Sequence, residues 1–197
     1  MVVDDIFFCR HGQTDYNAEG RLQGRRDIPL NALGRFQAKR NGTYLRRLLG
    51  ERAGEFRFVA SPLSRAQETM RILRRELGLP EDGFETDERL VEVSYGDWEG
   101  STLEEVAARD AQAIAAREAD KWNYRCPGAT SESYGDLLAR IEPLLAELEA
   151  RTILVSHGGV SRAVLRSAGK VGEWDAAMTI IPQDRLLVFR EDGPHWL

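Results

Sequence analysis

The stretch Ile6-Phe7-Phe8-Cys9-Arg10-His11-Gly12-Gln13-Thr14 decides the fold. A short apolar run ends abruptly in an arginine, a histidine and a glycine, the pattern of a buried strand feeding a loop. It nearly recurs far down the chain, where Thr152-Ile153-Leu154-Val155-Ser156 runs into His157-Gly158-Gly159. The chain has three histidines, and two of them stand where an apolar run meets glycine. In an open α/β sheet, ligands bind beyond the carboxyl ends of the strands. Two imidazoles and an arginine delivered there point to an anion site, with phosphate as the leading candidate.

Working outward, strands are expected at Val2–Cys9, Phe56–Ala60, Thr152–Ser156 and Arg185–Phe189. Asn31 can cap a helix reaching Leu49, with Gly50 behind it. Ser61-Pro62 reads as a helix start, serine at the cap and proline in the first turn, followed by Leu63, Ala66, Met70, Leu73 and Leu77 at helical spacing and closed by Gly78. Residues Phe84 to Tyr95 read as short extended or turn structure, Leu103 to Lys121 as one Ala/Glu-rich helix, and Trp122 to Ser131 as a loop. Ser133 can cap a helix bearing Leu137, Leu138, Ile141, Leu144, Leu145 and Leu148, in which Pro143 predicts a kink or an early break. A further helix is expected from Val160 to Ala168, and His195 in an exposed tail. Strands alternating with helices predict an α/β fold, a three-layer sandwich built on a mostly parallel, doubly wound sheet with helices on both faces. With no repeat, low-complexity tract or linker, residues 1–197 read as one domain.

Composition narrows the function. The chain has 197 residues, 42% hydrophobic and 30% charged, as in soluble globular proteins. A chain of this length can bury roughly 70% of its unfolded surface and needs neither disulfide nor metal to hold a core. Its net charge of −5 argues against a general nucleic-acid binder. No apolar run approaches the ~20 residues that span a bilayer, so no membrane partner is expected. The opening Met1-Val2-Val3-Asp4-Asp5 carries no basic segment of a signal peptide. Together with only two cysteines, Cys9 and Cys126, this suggests reduced thiols in a cytoplasm. Of 27 basic residues three are lysines, which leaves 24 arginines; Arg21, Arg25 and Arg26 cluster either as a solvated loop or as an entrance that draws in anions. Nothing in the residues specifies an oligomeric state.

Several chemistries lack their motifs. There is no Gly-rich dinucleotide fingerprint, and Gly169-Lys170 lacks the rest of a phosphate-binding loop. Cys9 has no arginine at the spacing a cysteine phosphatase requires, and Ser156 lacks the glycines of a nucleophile elbow. No HExxH or CxxC pattern accompanies His11 and His157. On the positive side, Arg65 would lie in the first turns of the helix after Ser61, where free N–H groups and a guanidinium fork suit phosphate.

The segments Arg10-His11-Gly12-Gln13-Thr14, Asn17, Leu22-Gln23-Gly24, Leu30, Ser61-Pro62-Leu63-Ser64-Arg65-Ala66, Gly96-Asp97-Trp98-Glu99-Gly100 and Ser156-His157-Gly158-Gly159, in that order, resemble the histidine phosphatase superfamily, in its phosphoglycerate mutase-like phosphatase branch. The resemblance implies that His11 is the nucleophile that becomes phosphohistidine and that Arg10, Arg65 and His157 hold the phosphate oxygens. It places Asn17 and the backbone of Gln23 and Gly24 near the substrate, makes Glu92 the proton donor, and leaves Trp98 and Glu99 as structural residues. It implies a phosphomonoesterase acting on a small phosphorylated metabolite, with no metal and no cofactor. The chemistry suits these residues: two arginines and a second histidine offset the charge of the phosphoryl oxygens. A hydrogen bond from the other ring nitrogen of His11 to a backbone carbonyl would fix its attacking tautomer.

Two alternatives share the resemblance: a cofactor-dependent phosphoglycerate mutase, and a weakly active phosphate-binding regulatory protein. A mutase must keep water from the phosphohistidine, and relatives of that kind carry a longer lid with arginines in it and an extended tail. Here the lid segment is 101–132, with Arg125 but no adjacent arginine pair, and the sequence ends at Leu197 soon after its last strand. Both features favour water as acceptor. The motif residues are intact, which speaks against the regulatory protein. Pro127-Gly128-Ala129-Thr130-Ser131-Glu132-Ser133 is about two residues longer than the family's usual lid edge, and Asn31 stands where threonine is usual. Trp122, Tyr124 and Arg125 read either as pocket residues or as lid packing.

Overall fold

A computed structural model describes residues 6–168, 171–190 and 193–197. Residues 2–5 of the first expected strand and Gly169-Lys170 lie outside the described residues. The strands are β1 (Ile6–Arg10), β2 (Arg57–Ala60), β3 (Glu85–Thr86), β4 (Thr152–Ser156), β5 (Leu186–Arg190) and β6 (Gly193–Trp196). The helices among the described residues are α1 (Asp15–Ala18), α2 (Ala32–Leu49), α3 (Ser64–Glu76), α4 (Leu103–Arg109), α5 (Ala111–Ala119), α6 (Tyr134–Glu147), α7 (Gly158–Ser167) and α8 (Glu173–Met178).

Strand order is β3-β2-β4-β1-β5-β6. The first four are parallel, and β5 and β6 add on as an antiparallel edge. The central strands read as unbroken apolar runs because both faces are covered. Phe8, Leu154 and Leu187 pack with Leu137 and Ile141 of α6 and Val160 and Val164 of α7. Phe7, Cys9, Ile153 and Val155 pack on the other face with Leu45 of α2 and Met70 and Leu73 of α3. The α/β sandwich with helices on both faces is thus present, its sheet mixed at one edge.

The register does the positioning. Arg10 pairs with Ser156 and Ala60 with Val155. Ser61, His157 and His11 therefore leave β2, β4 and β1 side by side at their carboxyl ends, pinned by Ser61 N–H donating to Val155 O and His11 N–H to Ser156 O, each at 2.9 Å.

Some expectations need correction. Ser61 does not cap α3: the helix starts at Ser64, with Leu63 at the cap position and no cap from its own side chain. The cap comes instead from Asp27, whose carboxylate accepts from Ser64 N–H (2.8 Å) and Ser64 O–H (2.7 Å), while Ser61 turns to His157. The single helix expected over Leu103–Lys121 is two, because Asp110 leaves helical geometry (φ −152°, ψ 83°) and its side chain caps the second through Ala113 N–H. Pro143 does not break the helix; α6 runs past it to Glu147, behind a Ser133/Asp136 capping box. The helix after His157 begins at Gly158 rather than Val160. His195 is no tail residue: it sits in β6, paired with Val188. Strand β3 falls within the stretch expected as short extended or turn structure, whereas β6 and helix α8 carried too little periodicity to be read.

Candidate active site

His11 is almost wholly buried just past β1. Its Nδ1 lies 2.7 Å from the Gly12 carbonyl, which can only accept, so Nδ1 donates and the lone pair is left on Nε2. Arg65 Nε reaches that Nε2 at 3.3 Å. Burial, and then the Arg65 and Arg10 guanidiniums, hold the imidazole well below its usual range, so the ring is neutral. Glycine at position 12 lets this loop lie close against α2, since a Cβ there would overlap the backbone of Gly34. Gln183 Nε2 donates to the His11 carbonyl (3.2 Å) and to Asn17 Oδ1 (3.0 Å), tying the α1 capping box to the His11 backbone.

Arg65, the second residue of α3, is fully buried. Burial lowers its affinity for its proton, but the guanidinium stays paired: Nη1 donates to Arg26 O (2.6 Å) and Nη2 to Gly24 O (2.8 Å). The long loop after α1 is thereby drawn over the site. Gly24 adopts a positive φ of 52°, and Gln23 is buried with its Oε1 unpartnered.

His157 caps α7, with ring centroids 5.1 Å from His11. Its Nε2 shares a 2.7 Å hydrogen bond with Ser61 Oγ, and its Nδ1 is buried with no protein partner. Burial, followed by Arg65, His11 and Arg10, holds this imidazole well below its usual range too. Arg10 Nη1 donates to Ile181 O at 2.7 Å, while its buried Nε is also unpartnered. Buried polar atoms are rarely left so; the imidazole nitrogen of His157 and the Arg10 Nε–H are each left free to meet an anion.

Glu92 follows a short 3₁₀ turn at Glu88–Leu90 and is 9% exposed. Its Oε1 accepts from Val93 N–H (2.9 Å) and Gly159 N–H (3.0 Å). A Cβ at position 159 would overlap that oxygen, which explains a glycine in the first turn of α7. Glu99 is structural, accepting from Arg25 N–H and Tyr95 N–H, and Trp98 packs on Tyr124. Trp122 is core, and Arg125 pairs with Asp136. Cys9 is buried and its thiol pushed up to about 12, unsuited to attack. Among the described residues no His/Cys/Asp/Glu group is arranged to hold a metal, and no helix is long and apolar enough to cross a membrane.

Sequence reasoning missed three neighbours of these residues. Ser61 was assigned to a cap because Ser-Pro after a strand is a cap signature. Gln183 lies in a loop with no motif. Arg162, five residues past His157 on α7, looked like an ordinary helix arginine; its Nη1 and Arg10 Nε instead flank Gly158, at 3.4 and 3.5 Å from where a Cβ would stand.

A mixed α/β sheet brings two histidines and Arg10 to its strand ends, with the buried Arg65 of α3 beside them. The model of the histidine phosphatase superfamily, branch 1, matches residues 6–196, and the chain belongs to that family. It is 36% identical over 186 residues to a glucosyl-3-phosphoglycerate phosphatase of Mycobacterium tuberculosis, covering 87% of this chain and 78% of the relative. A 6-phosphofructo-2-kinase/fructose-2,6-bisphosphatase of Caenorhabditis elegans is also 36% identical, over 167 residues and 84% of this chain, which spans only 34% of that longer protein. Among solved structures, one described as mycobacterial hydrolase 1 superposes with a TM-score of 0.77 at 28% identity, over 97% of this chain and 95% of that one.

Proposed function

We propose that the protein is a metal-independent phosphomonoesterase that hydrolyses a small phosphorylated metabolite through a phosphohistidine at His11. The observation that carries this reading is the Nδ1–H bond of His11 to Gly12 O, which leaves a neutral Nε2 facing Arg65 in a buried site.

In the first step the Nε2 lone pair attacks phosphorus while the bond to the ester oxygen breaks. Arg10, Arg65 and the Nδ1–H of His157 neutralise the phosphoryl oxygens. For His157 to donate from Nδ1, its Nε2 must accept from the Ser61 hydroxyl, whose own oxygen takes Leu63 N–H at 3.4 Å. Glu92 gives its proton to the departing oxygen, so an alcohol leaves. In the second step water attacks the phosphohistidine, Glu92 takes the water's proton, and the P–N bond breaks to return neutral His11 and inorganic phosphate. Asn17 and the backbone of Gln23 and Gly24 border the phosphate, and residues 101–132 cover it as a lid on one domain. The free, buried Cys9 and Cys126 support a cytoplasmic setting, and the net charge of −5 supports a small-molecule partner over nucleic acid.

The test is replacement of the nucleophile. His11→Ala should lose phosphate release from phosphomonoesters by about 10⁴-fold or more, as when a covalent nucleophile is removed. Rapid quench with ³²P-labelled substrate should trap acid-labile label on the wild type and none on the variant. Full turnover by His11→Ala, or label that stays on the variant, would refute the assignment.

A further inference from the structure

Gln183 lies in the loop that leads from α8 into β5, 172 residues away from His11 in sequence, yet its amide reaches the carboxyl ends of the central strands. Its Nε2 donates to the His11 carbonyl (3.2 Å) and to Asn17 Oδ1 (3.0 Å). The His11 carbonyl can only accept, so the amide nitrogen must face it. The backbone of the loop is held in turn. Asn41, buried on α2, donates from Nδ2 to Gln183 O (3.1 Å), and Asp184 pairs with Arg40 of the same helix (3.0 Å). Gln183 therefore arrives on a loop docked against α2.

The Asn17 amide is fixed by three donors. Its Oδ1 accepts from Thr14 N–H (3.2 Å), the Thr14 hydroxyl (3.2 Å) and Gln183 Nε2. A backbone N–H can only donate, so the oxygen must be the atom on this side. The other branch of the amide, Nδ2, donates to nothing among the described residues, which leaves its two N–H groups for a ligand. The His11–Gly12 peptide is held as well. Gln183 takes its carbonyl, and its N–H donates to Thr69 Oγ1 (3.1 Å), whose hydroxyl donates to Arg65 O (2.8 Å). One side chain thus touches both the backbone of His11 and the amide of α1, a helix of only four residues. A misplacement of about 1 Å at a reacting centre can cost about 100-fold in rate.

We infer that Gln183 is a positioning residue: it sets the spacing between His11 and Asn17, so that Nε2 of the one and Nδ2 of the other meet the same phosphoryl group. Gln183 acts through Asn17 and not by contact with the substrate. The inference rests on the phosphatase reading for the reacting group, and phosphate binding tests it separately.

The experiment is a double-variant cycle on the full chain. Gln183→Met keeps the length of the side chain and removes both hydrogen bonds; Gln183→Glu keeps its shape and sets an oxygen against two acceptors. Each should lower kcat/KM for p-nitrophenyl phosphate about 10-fold, Glu at least as much as Met, with the melting temperature within a few degrees of wild type. Asn17→Ala should cost about 10–100-fold, the loss of a charge-assisted hydrogen bond. Asn17→Ala combined with Gln183→Met should then be no slower than Asn17→Ala alone, because a residue that acts through another has nothing left to position. Should Gln183→Met fail to fold, Gln183→Glu carries the same cycle. Calorimetry with inorganic phosphate reads the cycle without turnover. Coupled losses of phosphate affinity in a wild type that hydrolyses no phosphomonoester would sink the phosphatase reading and keep this one. Full activity and full phosphate affinity in both Gln183 variants, or losses that multiply in the double variant as they do for independent sites, would overturn the inference.

Discussion

His11 is poised by two contacts that pull the same way. The Gly12 carbonyl takes the proton on Nδ1, and Arg65 sits against Nε2; burial and two guanidiniums make a second proton unwelcome. The nucleophile therefore stays neutral well below pH 6.5, the ordinary midpoint of histidine. The measurable consequence is a pH profile. Once kcat/KM is corrected for the substrate's own second ionisation near pH 6, acidification through pH 6.5 should bring no loss of activity from His11. A residual acid limb centred at 6.5 would mean that Nε2 protonates normally and that the geometry misstates the tautomer. The two candidate histidines were legible because histidine is rare in this chain and both stand at strand ends: two of three fall there. Ser61 and Arg162 were not, because a serine near a helix start and an arginine on a helix have common local uses. Only a neighbour distant in sequence diverts them.

Elements differed from expectation wherever a long-range contact competed with a local rule. Asp27 took over the cap of α3, and Asp110 used its own capping strength to split a helix whose composition read as continuous. Proline in α6 shows the converse. Pro143 is exposed in a helix bounded by Ser133 and Glu147, and packing of Leu137, Ile141 and Leu144 on the sheet outweighs the hydrogen bond it forfeits to Ala139. Pro143→Ala should then stabilise the protein, by about 1–3 kcal/mol, raising the melting temperature by several degrees with activity unaltered; a lower melting temperature would show that the ring contributes packing of its own. A second test concerns α7. Gly159→Ala pushes a methyl against the Glu92 carboxylate, a flexible group, rather than against backbone. The fold should survive while turnover of alkyl phosphates drops about 10–100-fold, as for a displaced general acid. p-Nitrophenyl phosphate, whose leaving group needs little protonation, should lose far less. Equal losses on both substrates would detach Glu92 from the leaving oxygen.

The whole molecule stores its site as buried neutral histidines, and this has a price in acid. His11 and His157 both protonate well below 6.5 when folded, whereas the unfolded chain takes up both protons near 6.5. Stability from these groups is present above pH 6.5 and is lost as pH falls below it, by up to about 1.4 kcal/mol per histidine per pH unit until the folded midpoints are reached. Urea unfolding in phosphate-free buffer should therefore show a free energy about 3 kcal/mol lower at pH 5.5 than at pH 7.5 from this source. His11→Asn with His157→Asn should remove that part of the slope; an unchanged slope would place the acid sensitivity elsewhere. From the sequence alone came the α/β class, the strands that meet glycine, the helices with strong periodicity and the residue types of the site, because each is written in local pattern and chemistry. The antiparallel edge of β5 and β6, the displaced cap of α3 and the serine behind His157 were decided only in three dimensions. Each depends on which distant group arrives to satisfy a hydrogen bond or a charge, and no local pattern encodes that arrival.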